Sequence, residues 1–220
     1  GTYELIAKFI DESNLFDASE SNATLVVDGV CELWNDTFYN FFSDDGLLRD
    51  EIIDEELVFH GDFSNLGVDI IGIYRPIVIS GDNAVIYDMA FALKDTVKLA
   101  NISLIANNSE FAENSNALIF ANGESIELNN ISLNYTTPSN SNAHGILAYD
   151  AENFKLLDST VIFDSNNRAG VTQHAIQILD CNDFLVEGNE INAYLPARDV
   201  AYADTYPYFN SIDQELVLVV

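Results

Sequence analysis

The chain has 220 residues, 48% of them apolar, enough core-forming side chains to exclude intrinsic disorder. Thirty-six acidic residues stand against eight basic ones, a net charge of −28. A polyanion of that strength repels nucleic acid and anionic lipid, which both need Lys and Arg to displace counterions, whereas neutral, cationic or polar partners stay compatible.

The chain opens at Gly1-Thr2 with no charged-then-apolar leader, and no stretch approaches the roughly 20 apolar residues of a membrane span. Up to about residue 56 the texture is irregular, with Trp34, Phe38, Tyr39, Phe41 and Phe42 crowded together. Residues 35–42 read as a short helix, capped by Asn35 or Asp36 and ended by Asp44-Asp45-Gly46. From Leu57 onward, short runs alternate apolar and polar between Asn, Asp, Gly and Ser, which is strand-and-turn punctuation. The chain closes inside an apolar run, Leu216 to Val220, and reads as a fragment of something longer, with no direct membrane insertion. Cys31 and Cys181 are widely separated and in no metal-like spacing; buried thiols are the first expectation, and a pairing of the two stays open.

Self-similarity decides the architecture. Val97, Ile126, Phe154 and Phe184 recur at steps of 29, 28 and 30 residues. Two residues on, Leu99, Leu128, Leu156 and Val186 repeat, and seven on, Leu104, Leu133, Val161 and Ile191. Before the reference lie Met89, Leu118, Ile146 and Ile176, then Phe91, Phe120, Ala148 and Ile178. One repeat buries too little alone, whereas stacked repeats share a continuous core. The prediction is an all-β, single-stranded parallel β-helix. Residues 1–56 form an N-terminal cap with a short helix, and 57–220 form one continuous run of coils. Ile77 and Leu57, each about 20 residues upstream of the next reference, mark shorter early coils. Asn122, Asp150 and Asp180 share a turn column, where polar side chains are expected to bond along the axis.

The run from Asp36 through Phe41-Phe42-Ser43 to Leu48 resembles an opening found in the adhesin-like surface proteins of methanogenic archaea. So do Leu57-Val-Phe-His-Gly-Asp-Phe63 and Arg75-Pro-Ile-Val-Ile-Ser-Gly-Asp-Asn-Ala84, followed by coils of the Asn-Ile-Ser-Leu type. The similarity covers roughly residues 24–195. It implies a right-handed helix and an extracellular, cell-surface location. It implies partners among other cells, surface glycans and envelope proteins, and it carries no catalytic residue across.

Three functions follow from these readings: a non-catalytic adhesin-like module, a polysaccharide lyase or glycoside hydrolase, and a passive spacer of the cell envelope. A glycosidase needs two facing carboxyls, and Asp150 and Asp180 are the aligned pair. In a turn column beside Asn122, a ladder is the simpler reading. His144 and His174, each ten residues before a reference, are expected as neighbours, with Arg168 nearby in sequence. With the two aspartates they are the weak metal candidates, no cofactor is expected, and Ca²⁺ stays open as an opportunistic ligand of the acidic clusters, though none has the spacing of a Ca²⁺ loop. Tyr202, Tyr206 and Tyr208 with Asp199 and Asp204 form the candidate sugar-stacking loop, against the reading that these rings tuck onto the core. Asn22, Asn35 and Asn107 are the better glycosylation candidates, while Asn101 and Asn130 fall inside coil strands.

Overall fold

An antiparallel hairpin opens the chain, β1 (Thr2–Phe9) with β2 (Ser19–Val26). From Val30 onward every strand among the described residues pairs in parallel. The early ones are β3 (Val30–Leu33), β4 (Glu56–Phe63), β5 (Ile70–Ile73), β6 (Ile77–Tyr87), β7 (Ala90–Leu93) and β8 (Thr96–Asn107). Three strands then make up each coil: β9 (Ala117–Ala121), β10 (Ser125–Asn129) and β11 (Ser132–Thr136) in one, β12 (Ala143–Tyr149), β13 (Asn153–Leu157) and β14 (Thr160–Asp164) in the next. The third set is β15 (Gln173–Leu179), β16 (Asp183–Glu187) and β17 (Glu190–Tyr194). This computed structural model describes the strand backbone of residues 2–9 and 19–26 and, in full, residues 29–52, 55–139, 141–166 and 171–194.

Two ladders wall a β-solenoid of about six turns. One runs β5-β7-β9-β12-β15. The other runs β3-β4-β6-β8 and forks, because the first half of the long strand β8 pairs β10 and its second half pairs β11. Val97, Ile126, Phe154 and Phe184 stand on successive rungs, as the repeat predicts. So do Leu99, Leu128, Leu156 and Val186, and likewise Leu104, Leu133, Val161 and Ile191. The first three of the reference column are buried, while Phe184 is 43% exposed on the last described rung. A single apolar cluster fills the interior from Leu33 to Ile178.

The register departs from expectation in the run that precedes the reference. Ile146 pairs Ile119 rather than Leu118, and Ile119 pairs Phe91, so that column is Phe91-Ile119-Ile146-Ile176. Its neighbour is Leu93-Ala121-Ala148-Ile178. The cause is corner length. Between that neighbouring column and the reference lie residues 94–96 in one coil, 122–125 in the next, and 149–153 and 179–183 in the last two, so a fixed offset from the reference drifts. Leu57 likewise pairs Ile79 and not Ile77, a slip of two that leaves the inward face unchanged.

The parallel ladder also begins earlier than residue 57, since Val30 pairs Glu56 and Leu33 pairs Phe59. Four alternating residues are too short a signal to stand out beside the aromatic stretch that follows. That stretch forms a 3-10 turn (Asn35–Thr37) and then α1 (Phe38–Phe41). Neither Asn35 nor Asp36 caps it. The Thr37 hydroxyl closes the turn, accepting from the Trp34 amide at 2.9 Å and donating to the Trp34 carbonyl at 3.1 Å. Asn35 instead accepts the Ser64 amide at 3.0 Å, tying the cap to the loop after β4. Phe42 turns extended and ends α1, and its ring stacks on Phe38 at 4.5 Å and leans on Phe59. Phe38, Phe42 and Phe59 are all fully buried, so the cap extends the core toward the N-terminal side. Gly46, at φ +77°, lets the chain turn beneath β5: a Cβ there would lie 2.1 Å from the Ile70 carbonyl oxygen.

Candidate functional site

Three consecutive coils bend at one corner, four residues past the reference. Asn101, Asn130 and Asp158 all adopt the left-handed conformation there, with φ of 57°, 51° and 48°, and Gly188 continues the column at 72°. Asn, Asp and Gly tolerate that region because a short polar side chain bonds locally or because no Cβ is present. The conformation throws the side chains outward at the bend. Asn130 Nδ2 donates to Asn101 Oδ1 at 2.8 Å, an amide ladder along the axis. The column predicted to form a ladder, Asn122, Asp150 and Asp180, does not form one; the axial amide bond sits at this other corner. Asn122 spends its Nδ2 on the Tyr149 carbonyl at 2.7 Å, while Asp150 and Asp180 make left-handed turns of their own.

The wall beside Asn101 is a bulge. Between β6 and β8 the register jumps from Ser80–Ala100 to Ala84–Ile102, so Gly81, Asp82 and Asn83 stand opposite the single residue Asn101. Gly81 is required for that approach, since its Cβ would lie 2.3 Å from the Asn101 carbonyl oxygen. The bulge, the two asparagines and the outward Ser103 and Ser132 of the next column enclose an open groove of ≈ 540 Å³.

Charge inside the groove is already spoken for. Asp82 Oδ1 accepts from Asn83 Nδ2 at 3.0 Å, and Asp82 Oδ2 lies 3.2 Å from His60 Nδ1. The His60 ring in turn stacks on Trp34, with centroids 4.7 Å apart and planes 14° from parallel. Trp34 is 44% exposed. Trp34, His60, Asp82, Asn101 and Asn130 thus follow one another along a single lateral edge.

The residues singled out in the sequence fall elsewhere. Asp199, Tyr202, Asp204, Tyr206 and Tyr208 lie outside the described residues, as does Arg168. Asp150 and Asp180 are on successive rungs, where the Asp150 amide donates to the Leu179 carbonyl, and both carboxyls are exposed at an outer corner. His144 and His174 pair across β12 and β15, their rings 5.4 Å apart and both buried. They belong to strands and not to a turn. Burial, and secondarily the neighbouring His174, pulls the His144 pKa down to about 4. Among the described residues no three His, Cys, Asp or Glu converge on one point as metal ligands.

Asn35 is half-buried and engaged with Ser64, Asn107 is exposed, and Asn22 pairs Ile6 in the hairpin. Asn101 lies within β8, as expected, whereas Asn130 sits in the bend between β10 and β11, and both are exposed. No disulfide joins Cys31, on the first parallel rung, to Cys181, in the corner before β16, and both are half-buried rather than buried. Burial pushes the Cys181 thiol pKa up. On the outer face, Glu127 lies between Lys98 at 3.0 Å and Lys155 at 3.9 Å, so two of the eight cations share one carboxylate. No helix among the described residues is long and apolar enough to cross a membrane.

The groove residues carried a signal in the sequence. Asn, Asn, Asp and Gly recur at one fixed offset, a column of residues that accept positive φ, and that pattern marks a sharp bend in every coil. The contact of Trp34 with His60 had none, since it depends on the early ladder register.

By its geometry the chain is a parallel β-solenoid with a polar groove on one lateral edge. No protein-family model, curated protein or solved structure matches it.

Proposed function

We propose that this chain is a non-catalytic, adhesin-like module of the cell surface that attaches to partner cells, glycans or envelope components through its lateral edge. The observation that carries the reading is the groove itself: amides and hydroxyls held outward on a rigid ladder, with its one carboxylate already engaged. Sites on rigid strands keep their geometry without further ordering, which favours binding. The resemblance of the 36–48 and 75–84 stretches to archaeal surface adhesins supports the extracellular location, and the net charge of −28 supports an exposed, soluble surface.

Against the enzymatic alternative stands the setting of Asp150 and Asp180. A general acid needs a desolvating pocket to hold its proton near neutral pH, and both carboxyls are exposed at an outer corner. The test combines two assays on the full chain. Labelled protein is expected to bind intact cells or immobilised glycans saturably, with no unsaturated or reducing-end products released from a panel of polysaccharides. Product formation that disappears in Asp150→Asn or Asp180→Asn would establish an enzyme. Absence of any saturable binding would leave a spacer.

A further inference from the structure

We infer that the lateral groove takes a neutral, hydroxyl-rich ligand, an uncharged oligosaccharide, and discriminates against uronate-containing or sulfated chains. The inference rests on the binding-module reading above and narrows it to one site and one ligand class.

The argument runs through hydrogen-bond inventory. An asparagine amide offers two N–H donors and an acceptor oxygen with two lone pairs. In the ladder Asn130 gives one N–H to Asn101 Oδ1, and neither side chain makes another bond to the protein among the described residues. Both N–H groups of Asn101, the second N–H of Asn130 and Asn130 Oδ1 therefore face solvent at the bend. Ser103 and Ser132 add one hydroxyl each at the groove margin, and their side chains have no protein partner among the described residues. Donors and acceptors alternate there over two adjacent rungs, about 4.8 Å apart. Vicinal hydroxyls, each both donor and acceptor, complement that array. A phosphate or carboxylate, which only accepts, would satisfy the N–H groups and leave Asn130 Oδ1 facing another acceptor.

Charge gives the same answer independently. No Lys or Arg lines the groove, and Asp82 is the one acidic side chain on its wall. Asp82 is contacted on both oxygens, by Asn83 and by His60, and it adds a carboxylate, not a cation, to the groove wall. The overall charge of −28 opposes entry of an anion.

The test is calorimetric titration of the full chain with uncharged oligosaccharides, namely gluco-, galacto-, manno- and N-acetylglucosamine oligomers, beside oligogalacturonate and a sulfated oligosaccharide. Asn101→Gly and Asn130→Gly delete the amides while glycine keeps the positive φ, and unchanged far-UV circular dichroism verifies the fold. At least one uncharged oligomer is expected to bind saturably, and each glycine variant to weaken it tenfold or more. The anionic oligomers are expected to bind more weakly at every salt concentration. Saturable binding of uncharged oligomers that both glycine variants retain would overturn the site while leaving the module reading intact. Preferred binding of the anionic oligomers would overturn the ligand class alone. If no oligomer binds but intact cells do, the ligand is not a glycan of this kind and the inference falls; if neither binds, the module reading falls with it.

Discussion

Truncating Phe154 to alanine tests whether the solenoid behaves as a stack of locally coupled rungs. Phe154 is fully buried, with Ile126 on the rung below and Phe184 above. Removing a buried phenylalanine ring costs about 3–5 kcal/mol. With a urea slope of roughly 1–3 kcal/mol per molar, that loss lowers the midpoint of the affected coils by about 2 M. Each rung touches chiefly its neighbours, so the penalty should fall on the C-terminal coils and fade along the axis. Trp34 reports the other end. It is the single tryptophan, just past β3, with the rungs of β4, β6, β8 and β10 between it and Phe154. In Phe154→Ala, circular dichroism should lose strand signal at lower urea than Trp34 emission changes, splitting a transition that nearly coincides in the parent. Equal shifts in both probes would refute local coupling and make the whole solenoid one cooperative unit.

Two further outcomes follow from named contacts. Folded His144 takes its proton near pH 4 and unfolded His144 near 6.5, so between those values the unfolded chain binds more protons. Its contribution is complete above pH 6.5 and is lost as pH falls toward 4, at most about 3 kcal/mol across the window. Thermal midpoints measured from pH 7 down to 4.5 should decline less steeply in His144→Leu than in the parent, and parallel declines would remove His144 as the cause. Gly81→Ala places a methyl 2.3 Å from the Asn101 carbonyl oxygen and should cost about 1–3 kcal/mol by urea denaturation. Gly61→Ala enters open space, strained only by its φ of +72°, and should cost nearer 1 kcal/mol; the opposite ranking would contradict the bulge geometry.

The columns legible in the sequence are those for which spacing is fixed by the strand itself. Val97, Ile126 and Phe154 could be aligned because the path from reference to reference plus two, and on to plus seven, crosses the same single-residue bend in every coil. Phe91 and Ile119 could not, because the corner before the reference lengthens from 94–95 between β7 and β8 to 122–124 between β9 and β10, and no local pattern encodes a corner's length. Alternation also missed β3, where four residues carry too little signal. The pairing of His144 with His174 followed from counting, but their burial did not, since it depends on what covers the strand. The groove had a visible component, the Asn-Asn-Asp-Gly column, and an invisible one, the bulge at Gly81, which is a register event between two strands.

The corners differ far more in length than the walls do. Residues 88–89 close one coil and 108–116 the next, yet β8 still meets β10 residue for residue from Thr96 to Ala100. Nine residues, including a 3-10 turn at Ala112–Asn114, are thus accommodated without any change of phase between rungs. Such an edge is modular in the engineering sense. Peptides inserted between the exposed Ala112 and Glu113, with the buried Phe111 and Asn114 kept, should be carried outward on an unchanged frame, which makes the chain a ruler for spacing two grafted epitopes by rung count.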